Sequence, residues 1–230
     1  MTVLLAALAG LPAGWIGALA IPPWTVRAPI ADGPRPSRRL LAATVATTTV
    51  LFALVAWHQE GGWALPGLLA LTWGLVVGTV IDLRRRILPD RLTFKLPLLV
   101  GIPIVIEAIR TDAMADLRRA AFAAVLLPLG MFLFSEMFRL LRGQSGMGLG
   151  DVKLAVSLGL GLGWLGGWEL VVFGYASVTA SVVVAIGLVA SGRAKLASRI
   201  PFGPYLAIGT IVVLVAGNPI VDWIAERVAF

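Results

Sequence analysis

Two aspartates, Asp82 and Asp151, have the surroundings in this sequence that could do chemistry. Asp82 closes an apolar run in "GTVIDLRRRILPDRLT", and Asp151 opens another in "GMGLGDVKL". An ionisable side chain in a membrane-length apolar segment is expensive, so its presence is by default a functional signal. Two carboxyls at one depth suggest an aspartic dyad. Held close together, they cannot both ionise cheaply and share a proton. The ionised member can then activate water as general base while the protonated one polarises a carbonyl. This hydrolytic chemistry needs no metal, thiol or imidazole. The chain has no cysteine and a single histidine, His58, which excludes disulfides, thiolate metal sites and multi-histidine metal sites. No cofactor is expected.

The other carboxylates ask for less explanation. Asp32, Glu60, Asp90, Asp112, Asp116, Glu169, Asp222 and Glu226 fall in loops or near helix ends, where water solvates them. Glu107 and Glu136 fall inside apolar runs near their ends. Around Asp151, Gly148 and Gly150 would permit backbone angles and close approaches that a side chain blocks. A helix starting near Asp151 would place unpaired N–H groups beside its carboxylate. The tetrapeptide GLGD alone is equally compatible with a loop and an N-capping aspartate. Lys153 reads as an interfacial charge, or as a group tuning the dyad.

The elements that must position these residues follow from composition. Of the 230 residues, 59% are hydrophobic and 13% charged, against about 25% charged in soluble domains. The surplus apolar surface needs lipid to face. Eight apolar runs, at 3–22, 40–57, 63–81, 96–109, 120–141, 154–166, 168–190 and 204–225, predict an all-α polytopic membrane protein with about eight transmembrane helices. The stretch 154–190 is too long for one span and is split at "GLGWLGGW" into a helical pair turning near Gly166 and Gly167. With both termini extracytoplasmic, every one of the 19 lysines and arginines except Arg110, Arg118, Arg119 and Arg227 falls on the cytoplasmic side, as the positive-inside rule requires. The net charge of +7 is explained by that asymmetry without a nucleic-acid partner. Both aspartates then share the cytoplasmic face. The first run lacks the preceding basic residues of a cleaved leader and is read as a retained helix. Residues 23–39, rich in proline, read as a short cytoplasmic loop. No internal repeat or soluble domain is visible, so 1–230 reads as one membrane-embedded domain.

Three stretches, taken together, resemble the type IV prepilin peptidases, the GxGD membrane aspartyl proteases that process pilin and pseudopilin precursors. They are "DLRRRILPDRLT" at 82–93, "GMGLGDVKL" at 146–154 and "IPFGPYLAIG" at 200–209. The resemblance implies that Asp82 and Asp151, and not Asp90, are the catalytic pair; Asp90 reads as a structural cap after Pro89. Gly148, Gly150, Lys153 and the box of Pro201, Phe202, Gly203 and Pro204 would be supporting motif residues. It further implies a bacterial inner-membrane enzyme with a type IV prepilin or pseudopilin precursor as partner, cut at the cytoplasmic face. Larger relatives carry paired Cys-x-x-Cys motifs between their first two spans and methylate the new N-terminus. The short cysteine-free segment 23–39 stands in that place, which puts methylation in doubt. Arg84, Arg85 and Arg86 read as topology anchors. A proton-coupled transporter and a non-catalytic pilus or secretion assembly protein remain as alternatives from other classes.

Overall fold

In the computed structural model, residues 1–25, 36–59, 61–85, 88–142, 148–192 and 202–228 are described. They form eight helices: α1 (Thr2–Thr25), α2 (Arg38–His58), α3 (Leu65–Arg85), α4 (Asp90–Thr111), α5 (Met114–Arg142), α6 (Leu149–Leu165), α7 (Gly167–Ala190) and α8 (Gly203–Val228). No strand occurs among the described residues. Each apolar run of the sequence lies largely within one of these helices. Six of them, α1 to α5 and α7, are long and apolar enough to cross a membrane. The other two are α6, of 17 residues, and α8, whose shorter apolar portion is Gly203–Gly217. The chain is a multi-pass membrane protein.

The helices run further than the apolar runs predicted, because charged first and last turns still hydrogen-bond as helix. Thus α4 begins at Asp90, and α6 at Leu149. Of the segment 23–39, residues 23–25 end α1 and residues 38–39 open α2, with the Ser37 hydroxyl accepting from the Leu40 N–H at 3.2 Å as an N-cap. Residues 26–35 of that segment, and the basic residues Arg193, Lys195 and Arg199, lie outside the described residues.

The bundle is organised around α3, 61% of whose apolar window is buried, against 17% for α7. α3 touches α1, α2, α4, α6 and α8. Its Leu71 and Leu75 join Leu96, Val100 and Ile104 of α4, and Leu154, Leu158 and Leu162 of α6, in the main core. α6 packs chiefly on α5, and α7 on α8, so the two helices joined at Gly166 diverge and each pairs elsewhere. Small residues explain how α6 approaches α5. Gly159 and Gly163 face Ala120, Ala123 and Ala124, and a Cβ at either glycine would collide with the α5 backbone. Between helices in lipid, such small-residue seams let dispersion contacts replace the hydrophobic drive.

Several polar groups in this apolar frame are satisfied locally, as a medium without water favours. The buried hydroxyls of Thr44, Thr72 and Thr210 each donate to the carbonyl four residues earlier, at 2.8, 2.9 and 2.8 Å. Arg119 of α5 donates to the carbonyls of Gly163 and Trp164 at 2.8 and 2.9 Å, closing the C-terminal end of α6. The last turn of α3 and the first turn of α6 lie at the same end of the bundle.

Candidate active site

At that end, α3 presents Asp82 in its last turn and α6 presents Asp151 in its first. Both carboxyls are buried, with Asp82 5% and Asp151 7% exposed. They lie close enough for the charge of one to act on the other. The two aspartates that stood apart in sequence are therefore brought together, and α8 starts beside them at Gly203.

The local structure at Asp151 comes from the helix start. Gly148 is the N-cap of α6, with φ −75° and ψ 144°, and its carbonyl accepts from the Asp151 and Val152 N–H groups at 3.1 and 3.4 Å. Asp151 is the third helical residue, and its carboxylate reaches back to accept the Gly148 N–H. This is the return half of a capping box, with aspartate in the usual glutamate position. The other carboxyl oxygen, Asp151 Oδ1, is buried and has no hydrogen-bond partner among the described residues. Buried polar atoms are ordinarily satisfied; the hydroxyls of Thr48, Thr49, Ser157 and Ser177 are the other buried side-chain oxygens without a partner among the described residues.

The two glycines of the box differ. The Gly148 backbone is ordinary extended chain that any residue adopts, so the expected need for special angles is absent there. Gly150 is required for close approach: a Cβ would stand 2.9 Å from Leu88 Cβ. The glycine thus seats α6 against the "LPD" turn that follows Asp82. Beside it, the cap assigned to Asp90 is corrected. Pro89 occupies the N-cap of α4 with no side-chain cap bond, and Asp90 instead forms an ion pair with Lys153 at 2.6 Å. Lys153 Nζ also stands 5.0 Å from the centre of the Phe94 ring. Lys153 is therefore spoken for by α4. Nothing in the residues of the two boxes separately announces this pairing; only the packing of α4 on α6 brings it about.

The third box starts α8. The Gly203 N–H donates to Asp82 Oδ2 at 3.1 Å. The Phe202 carbonyl accepts from Tyr205 and Leu206 at 3.0 and 3.2 Å, and the Phe202 and Tyr205 rings meet edge to face at 6.2 Å. Pro204 lies in the first turn, where a missing N–H leaves no helix bond unmade. Pro201 and Arg86 lie outside the described residues. Arg84 and Arg85 are exposed beyond Asp82. Glu107 accepts the Trp63 N–H at the opposite end of the bundle, and Glu136 pairs with Arg139 of its own helix. No cluster of three metal-ligating side chains occurs among the described residues.

Comparison with known proteins gives a consistent set of likenesses. The family model described as "Type IV leader peptidase family" matches residues 69–190, which include both aspartates. The chain is 36% identical over 173 residues to the "Prepilin leader peptidase/N-methyltransferase" of Stutzerimonas stutzeri, covering 74% of this chain and 56% of that protein. It is 38% identical over 176 residues to the protein of the same name from Xanthomonas campestris pv. campestris, covering 76% of this chain and 58% of that one. The corresponding protein of Pseudomonas aeruginosa is 35% identical over 175 residues, with 75% and 57% covered. The chain thus spans little more than half the length of these curated relatives. No solved structure matches.

Proposed function

The chain belongs to the type IV leader peptidase family, and from that premise we propose that it is a membrane aspartyl endopeptidase. It removes the basic leader from type IV pilin-like or pseudopilin precursors at the cytoplasmic face of the inner membrane. The observation that carries this reading is the pairing of two buried, mutually acting carboxyls, Asp82 and Asp151, at one end of an apolar bundle.

The chemistry runs through one shared proton. The ionised carboxylate takes a proton from water, and the water oxygen attacks the scissile carbonyl carbon. The protonated carboxyl donates to the carbonyl oxygen as the tetrahedral centre forms. On collapse the C–N bond breaks, the leaving amine takes a proton from the dyad, and a hydroxyl of the tetrahedral centre gives its proton to the dyad, which returns to its starting state with one shared proton. Burial removes competing water, so each charge acts more strongly than it would in solvent. The substrate's hydrophobic helix lies in the bilayer against the enzyme, with its leader reaching the two aspartates from the cytoplasm.

The eight helices are read as spans of a single membrane-embedded domain, with both termini extracytoplasmic and the dyad cytoplasmic. The short segment 23–39 carries no cysteine pair, so the methyltransferase half of the relatives' name is not carried over. Co-expression with a candidate precursor tests the reading. A peptidase shortens the precursor by its leader, whereas a transporter or a silent assembly protein leaves it at full length.

A further inference from the structure

Gly203 stands in an unusual relation to Asp82. Its backbone N–H donates to Asp82 Oδ2 at 3.1 Å, in a buried bond between the start of α8 and the last turn of α3. A Cβ placed on Gly203 would lie 2.7 Å from that same oxygen, 3.3 Å from Asp82 Cγ and 3.5 Å from Asp82 Cβ. All three nearest atoms belong to the one aspartate. The residue does not need glycine for its backbone: it is helical and outside the positive-φ set of Gly61, Gly62 and Gly192. Glycine is also a poor helix former. What the absent side chain provides at 203 is room for a carboxyl.

We propose that Gly203 is a positioning residue for peptide cleavage, its N–H fixing the Asp82 carboxyl and its missing side chain leaving that carboxyl space to face Asp151. This rests on the reading of Asp82 as a catalytic residue. A methyl at 203 forces Asp82 to turn aside or α8 to retreat. A misplacement of about 1 Å at reacting groups can cost roughly a hundredfold in rate. Gly209, two turns along the same helix, provides the contrast. A Cβ there would meet the Ser177 hydroxyl and the Phe173 carbonyl of α7, so its substitution disturbs packing away from the dyad.

The test uses the full chain in detergent or lipid discs with a precursor substrate. Turnover, KM and thermal unfolding are measured for wild type, Gly203→Ala, Gly209→Ala and Asp82→Asn. Gly203→Ala should lose at least about tenfold in kcat, with KM within about twofold of wild type and an unchanged unfolding temperature. Gly209→Ala should unfold at lower temperature while its folded fraction turns over normally. A smaller fall in kcat for Gly203→Ala overturns the proposal, as does a fall matched by loss of folded protein. If Asp82→Asn itself cleaves, the dyad reading fails. If Asp82→Asn is dead and Gly203→Ala fully active, the positioning role alone fails.

Discussion

Severing the Asp90–Lys153 pair separates what holds the site together from what performs its chemistry. Lys153 Nζ stands 2.6 Å from Asp90 Oδ1 and joins the second turn of α6 to the first turn of α4. Two unit charges about 4 Å apart attract by about 4 kcal/mol at an effective dielectric of about 20. That figure is too large here, because the Lys153 and Asp90 side chains are 39% and 67% exposed. Exposed pairs contribute about 0.2–1 kcal/mol, and the contact of Lys153 with the Phe94 ring adds about 0.5 kcal/mol. A double-mutant cycle with Lys153→Ala and Asp90→Ala, read by unfolding in detergent, cancels the Phe94 contact and should return a coupling of about 0.2–1 kcal/mol that shrinks as salt rises. Asp90→Asn should keep most cleavage activity. A coupling above about 2 kcal/mol would refute the solvent-screened reading. Loss of cleavage in Asp90→Asn with Asp82→Asn still active would place the chemistry on the other carboxylate of the "DLRRRILPD" box.

Three further outcomes follow from the bundle and its orientation. Gly159→Val should lower the unfolding temperature by overpacking the α5–α6 seam, at about 1–3 kcal/mol, since a Cβ at 159 already stands 2.6 Å from Ala124 Cα; unchanged stability would contradict that seam. Single cysteines at positions 58 and 114 should react with an impermeant thiol reagent from outside sealed cells, and one at position 37 should not. Mature substrate should carry a free N-terminal amine, checked by mass spectrometry in a host with no other such enzyme; an added methyl group would overturn the peptidase-only reading.

The all-helical class was legible because membrane-length apolar runs have few other solutions. The ends of the runs were less so: hydropathy reports lipid contact, whereas a charged first turn such as 90–93 continues the helix regardless. The converging of Asp82 and Asp151 was legible through their placement at the ends of α3 and α6 and through the three boxes. Partnerships across helices were not. Asp90 looked like a cap because it follows a proline, yet its partner lies 63 residues away in sequence. Gly203 looked like part of a helix start, and only packing reveals that the atoms beside it belong to Asp82. The α5–α6 seam was hidden inside "GLGLGWL", where glycines read as breaks although two of them, four apart, form one face.

The most direct measurement is the cleavage of a purified precursor, followed by intact mass, with wild type, Asp82→Asn, Asp151→Asn and the double variant at matched folded concentration. Asparagine keeps the size and polarity of each side chain but cannot carry the shared proton. The dyad reading predicts that wild type releases the leader, that neither single variant does, and that the double variant is hardly worse than either, because residues acting as one unit are non-additive. Clear leader release by either well-folded single variant would contradict it.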